Sequence, residues 1–177
     1  LAILTSMLGS KSQLKTEKYL KNAHLITRNA VKLYQSINKL LQFRKSEIGL
    51  SQLELGKLNI SSFLEQIRID FSPLAKKNTI EFLVSIPKEN IIACVDVEKF
   101  QIIINNLISN AFKYSKENDQ ISVTLSSKGD YFKIIVRDTG AGINNKDLPY
   151  IFDWYYQSGK SLKKKGAGIG LALTKSF

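Results

Sequence analysis

Residues 100–115 read FQIIINNLISNAFKYS, and the fold turns on how this stretch is read. At about 100° per residue, Phe100, Ile103, Ile104, Leu107, Ile108 and Ala111 fall on one side of a helix. Asn106, Asn110 and Lys113 fall together on another. A merely solvated stripe would favour Glu, Lys and Gln, because Asn is a poorer helix former. The stripe leaves two readings open. It is a solvated face, or its amide oxygens serve a hard cation with Lys113 near a phosphate. Mg²⁺ in nucleotide sites takes one or two protein oxygens and completes its shell with phosphate and water.

The sequence downstream bears on that choice. The strand-like residues 131–137 lead into Asp138-Thr-Gly-Ala-Gly-Ile143. A carboxylate at a strand end accepts a hydrogen bond from an exocyclic amine such as that of adenine. Gly140 and Gly142 let the backbone turn sharply and approach a flat ring. Taken alone, an Asp-x-Gly loop is often only a turn. Then come Ile-Phe-Asp-Trp-Tyr-Tyr at residues 151–156 and Gly-Ala-Gly-Ile-Gly at residues 166–170, opening another apolar run.

These four elements in this order resemble the N, G1, F and G2 boxes of the sensor histidine kinases, in the ATPase superfamily shared with gyrase, Hsp90 and MutL. The resemblance covers residues 46–177, and a helical hairpin before it also fits. With QFRKSE upstream, the wording is most similar to hybrid two-component kinases. The resemblance implies an ATP-binding kinase core. Asn110 and Asn106 would hold Mg²⁺, Lys113 would sit near the phosphates, and Asp138 would select adenine. Gly140, Gly142 and Ile143 would shape the adenine pocket, with Tyr114 either stacking on the nucleotide or packing. Gly166, Gly168 and Gly170, with Leu171, would close over the phosphates. The implied partners are a second copy of the chain and a receiver domain carrying an acceptor aspartate. The implied location is the cytoplasmic portion of a protein anchored in the inner membrane.

The chain has 177 residues, 44% hydrophobic and 23% charged, which suits an ordinary globular domain with a small appendage. The net charge of +11 could address nucleic acid or a membrane surface. Basic residues recur along most of the chain, only residues 163–165 form a run, and no zinc spacing or RNA-binding aromatic signature accompanies them. Direct nucleic-acid binding is therefore not expected, nor is membrane contact, since no 18-residue apolar span occurs. Cys94 is the single cysteine, which excludes an intramolecular disulfide. Within an apolar run it reads as a small core residue.

Residues 16–47 read as a long helix with apolar positions at Leu20, Ile26, Ala30, Val31, Leu33, Tyr34, Ile37, Leu40 and Leu41. That stripe is wider than a two-stranded seam and suits a four-helix bundle built by a dimer. Residues 48–60 read as a linker with a short strand at 53–59. Ser62 and Glu65 make a capping box for a helix to about Ala75, kinked or stopped by Pro73. Residues 79–86 and 91–95 read as strands, and Asp96 as the N-cap of the Asn106 helix. Residues 120–127 and 131–138 read as a hairpin pair, and 147–152 as a short helix. Residues 155–165 read as a mobile loop, the ATP lid of the resembled family, and residues 168–177 as the start of a helix. The expected fold is α+β: an incomplete helical hairpin at 1–47, a linker at 48–60, and at 61–177 an α/β sandwich of the histidine kinase type, with a mixed sheet covered by helices on one face. The pattern begins and ends midway, as in a piece of a larger protein.

Two look-alikes fall away. Gly159-Lys160-Ser161 lacks the P-loop glycine, since position 154 is Trp. The glycines at 166, 168 and 170 do not make G-x-G-x-x-G, because position 171 is Leu. His24 is the single histidine. It has no adjacent acid and no following Pro, and shares a helical stripe with Leu20, Thr27, Val31 and Tyr34, so it reads as packed in the bundle. In the resembled family the acceptor histidine precedes a Pro-Leu pair, which would place it upstream of Leu1. A chain lacking it would not autophosphorylate. The alternatives are a gyrase- or Hsp90-type ATPase, an anti-sigma-type serine kinase, and a non-catalytic dimerisation scaffold.

Overall fold

A computed structural model describes residues 53–158 and 168–177, together with separate helical positions between 19 and 37. The chain divides into two units, Leu1–Ile48 and Gly49–Phe177. In the first, Leu20, Ile26 and Ile37 are helical and exposed. So are Tyr19, Leu25, Thr27 and Ala30, whereas His24 and the stripe positions Val31, Leu33, Tyr34, Leu40 and Leu41 lie outside the described residues, as do segment 159–167 and Gly166. No helix among the described residues is long and apolar enough to cross a membrane.

In the second unit the order is β1 (Leu55–Asn59), α1 (Ile60–Lys77), β2 (Glu81–Ser85), β3 (Ile92–Asp96), α2 (Val97–Tyr114), β4 (Gln120–Lys128), β5 (Tyr131–Asp138), a 3₁₀ turn at Leu148–Tyr150, and α3 (Gly170–Ser176). The strands form two sheets where one was expected. β1 pairs antiparallel with β3, and β2-β4-β5 forms a mixed three-stranded sheet. β2 runs parallel to β4 with Phe82 opposite Ile121, and β4 runs antiparallel to β5 with Val123 opposite Val136. Gly129 supplies the positive φ of the β4–β5 turn.

Three local expectations are corrected. α1 is capped by Asn59, whose Oδ1 accepts the Ser62 N–H at 3.0 Å, and not by a Ser62–Glu65 box. β1 ends at Asn59, and the Ile60 N–H already bonds the Ile91 carbonyl at 2.8 Å, so the earlier cap wins. Glu65 pairs with Arg68 instead. Of the two expectations for Pro73 the stop is overturned, because it lies inside α1, which runs on to Lys77. The expected helix at 147–152 shrinks to the single 3₁₀ turn.

Apolar alternation explains the core. Phe82, Val84, Ile121, Val123, Leu125, Phe132, Ile134 and Val136 point to one side, where α1 brings Ile60, Leu64 and Ile67 and α2 brings Ile104, Ile108, Ala111 and Phe112. Phe112 stacks on Phe71 at 5.5 Å and meets Phe82 at 5.3 Å, locking both helices to β2. Phe100 similarly joins Phe63 to Phe132. Ile108 and Ile121 are wholly buried. Removing either to alanine would cost on the order of 2–5 kcal/mol. Cys94 is not in this core. It lies exposed on the uncovered face of β3, opposite Lys57.

Candidate functional site

The Asn106 helix, α2, is anchored at its start by Asp96. One carboxylate oxygen accepts the Lys99 N–H at 3.1 Å; the other accepts the Lys99 ammonium at 2.9 Å and the Glu54 N–H at 3.2 Å. Burial pushes the Asp96 pKa up, but these hydrogen bonds and the Lys99 charge outweigh it and hold the carboxyl below its ordinary range. The helix is thus fixed in rotation, and Asn106, Asn110 and Lys113 keep one stripe. Asn106 is buried, whereas Asn110 and Lys113 are half-buried. The Lys113 ammonium stands 5.0 Å from the centre of the Tyr114 ring.

The carbonyl end of α2 meets the Asp138 turn. Asp138 closes β5 with its side chain exposed, and its Oδ1 accepts the Gly140 N–H at 3.1 Å. Thr139 stitches the turn to β4: its N–H donates to the Gln120 carbonyl at 3.0 Å, and its Oγ1 accepts the Gln120 N–H at 2.9 Å. The Ala141 N–H donates to the Tyr114 carbonyl at 3.2 Å. A Cβ on residue 140 would stand 2.6 Å from that carbonyl oxygen and 3.0 Å from Asp138 Oδ1. Only glycine permits so close an approach. Gly142 takes φ +63°, and Ile143 beyond it is exposed.

A second group lies further along the chain. Asp147 Oδ1 accepts the Tyr156 hydroxyl at 2.7 Å, and this bond, with burial and nearby negative charge, holds the phenol above its ordinary value. The Lys175 ammonium lies 5.9 Å from the Phe152 ring centre. The Tyr155 N–H donates to the Gly168 carbonyl at 2.9 Å, so the chain on either side of 156–167 is clasped together. Gly168 has φ +69°, and a Cβ there would stand 2.7 Å from the Tyr155 backbone. Gly170 opens α3, and its carbonyl accepts a hydrogen bond from the Asn106 side chain at 3.2 Å. Leu171 is half-buried beside it.

The described residues therefore bring two expected groups onto one helix: Asp138 and Gly140 at its carbonyl end, and Gly170 against Asn106 one turn before Asn110. Sequence reasoning missed Thr139, Gln120, Tyr156 and Asp147, which set the loops in place. Only the Asp-Thr-Gly wording hinted at the first of these.

Residues 95–177 match the family model described as histidine kinase-, DNA gyrase B- and HSP90-like ATPase. The chain is 33% identical over 164 residues to hybrid signal transduction histidine kinase D of Dictyostelium discoideum, covering 89% of this chain and 11% of that protein. It is 31% identical over 158 residues to sensor histidine kinase WalK of Bacillus subtilis strain 168, covering 86% of this chain and 26% of the relative. The chain thus spans 11% and 26% of the lengths of these two relatives. Among solved structures, full-length ShkA in complex with AMPPNP is 28% identical with a TM-score of 0.67, covering 81% of this chain and 30% of that one. The ATPase match falls on the residues that build the two loops and the amide stripe, and the relatives share most of the rest: the chain belongs to the sensor histidine kinases.

Proposed function

We propose that the chain binds Mg-ATP between the Asp138 turn and the amide stripe of α2, and that it supplies the γ-phosphate to a histidine of its own dimer. The observation that supports this most is the seating of the turn on the Tyr114 carbonyl, one helical turn beyond Asn110. In this reading Asp138 accepts the exocyclic amine of adenine, and Gly140, Gly142 and Ile143 bring backbone up to the ring, with Tyr114 beside it. Asn110 offers its amide oxygen to Mg²⁺, with Asn106 one turn earlier. Lys113 acts as a point charge near the phosphates. Gly166, Gly168 and Gly170, with Leu171, border the phosphate end.

The donor set suits a hard cation. Amide oxygens are hard ligands, and among the described residues no group of three or more His, Cys, Asp or Glu could hold a metal. Phosphate and water would complete the shell. Held by Asn110, with Asn106 one turn earlier, Mg²⁺ would supply neutralisation of the charge that develops on phosphate during transfer. The protein's own share is to hold the nucleotide and exclude competing geometry.

Residues 1–47 form the dimerisation hairpin in this proposal, and a receiver aspartate takes the phosphate onward. The acceptor histidine is a residue other than His24, and the whole protein is anchored in the inner membrane with this portion cytoplasmic.

The test is a titration of a fluorescent ATP analogue with Mg²⁺ and with chelator. Asp138→Ala leaves the adenine amine unpaired and should weaken binding by roughly 5- to 150-fold, from about 1–3 kcal/mol, in both conditions. Asn110→Ala should weaken it chiefly when Mg²⁺ is present. Unchanged affinity in both variants would overturn this site and leave a scaffold as the better reading. Acid-labile label from ATP that vanishes in His24→Ala would overturn the acceptor assignment.

A further inference from the structure

We infer that Asn106 is a positioning residue whose side-chain N–H holds the first turn of α3 against α2, a task beyond any share it has in metal binding. Its consequence for nucleotide rests on the ATP reading above. Asn106 is 5% exposed, although it shares a stripe with the more open Asn110 and Lys113. Its Nδ2 donates to the Gly170 carbonyl at 3.2 Å across 64 residues of sequence. The same carbonyl accepts the Thr174 hydroxyl at 2.9 Å, so it lies inside the α3 frame, and a pull on it is a pull on the helix.

Gly170 shows the same fit from the other side. A Cβ there would stand 3.3 Å from Asn106 Oδ1 and 3.4 Å from its Cγ. Position 170 has no left-handed backbone to demand glycine, and alanine is the better helix former. The close approach of the Asn106 amide accounts for the glycine. Ile169, Ala172 and Leu173 beside Gly170 in the chain are buried and the bond itself is part-buried, so water would only partly replace it once broken. Two residues upstream, Tyr155 holds Gly168. Asn106 therefore fixes the point at which the chain emerges from that clasp, beside the amides proposed to face phosphate and metal.

Asn106→Asp separates the two tasks. It keeps the oxygen that a metal would want but replaces the N–H donor with a second acceptor facing a carbonyl. Amide hydrogen exchange is measured across 171–176 without nucleotide, and analogue affinity with Mg²⁺ and with chelator. The positioning role predicts exchange faster by about tenfold or more, and affinity weaker by about tenfold in both conditions. Exchange at the parent rate, or Mg²⁺-dependent binding as tight as the parent's, would overturn it. Gly170→Ala adds a second arm that survives a misfolded aspartate variant. It should weaken nucleotide binding in the parent but cost nothing further in an Asn106→Ala background, and strictly additive effects would overturn the contact. A parent chain with no affinity for the analogue counts against the ATP reading alone, because exchange in α3 still decides the positioning role.

Discussion

Asp96 is where a single ionisable group governs stability. It caps α2, pairs with Lys99 and receives the N–H of Glu54, so three hydrogen bonds converge on one carboxylate. Its folded pKa is depressed below 3.8, so its contribution is complete above the ordinary carboxylate range and is lost as pH falls through the lower folded value. Asp96→Asn keeps the cap and removes the charge. Urea unfolding from about pH 6 down to pH 2 should show the parent losing on the order of 1 kcal/mol more than the variant; parallel pH profiles would contradict this. This cap was legible because its partner lies three residues away. Cys94 was not. The run from Ile91 to Val97 is apolar at nearly every position, so alternation carried no phase, and the two-stranded sheet leaves one face uncovered. The Asn106–Gly170 bond was also invisible, since nothing local to Asn106 announces a partner 64 residues on.

Among the elements, α1 ends in a way its sequence disguises. The Thr79 N–H bonds the Lys76 carbonyl at 3.3 Å and the Ile80 N–H bonds the Ala75 carbonyl at 3.0 Å, with Ile80 buried beneath: the Schellman arrangement. Its left-handed position is normally glycine, yet here it is Thr79 at φ 52°. A β-branched residue in that conformation is strained. Thr79→Gly should stabilise by on the order of 0.5–1 kcal/mol, the relieved strain being partly offset by the freer unfolded chain. Thermal melting checks it, and an unchanged or lower midpoint would show that the turn carries no strain. The backbone bond from Asn118 N–H to the Thr79 carbonyl is untouched by the change. Glycine-based stop signals could not have found this helix end, and Pro73 pointed to a stop four residues too soon.

For the molecule as a whole, the order of strands and helices in 53–177 was readable, but their division into two sheets was not, because pairing partners such as β2 and β4 are separated by β3 and α2. Charge shows a further division. Residues 53–158 and 168–177 hold equal numbers of basic and acidic side chains, so the whole +11 excess sits in 1–52 and 159–167. Two copies meeting through residues 1–47 would bring like charge together. Dimerisation should therefore tighten as salt rises from about 0.05 to 0.5 M, over which screening shortens to a few ångströms. Ile37→Glu, at a position 49% exposed, should give monomer in sedimentation equilibrium where the parent gives dimer. A parent that stays monomeric at every salt would refute both expectations. The clasp between Tyr155 and Gly168 also bears on how such a chain can diverge. With both ends of 156–167 held together, doubling the span between them adds only about 0.6 kcal/mol of closure entropy. Insertions between the clasped ends are thermodynamically cheap, while a side chain at residue 168 has no space, so length there is free to drift around a junction that is not.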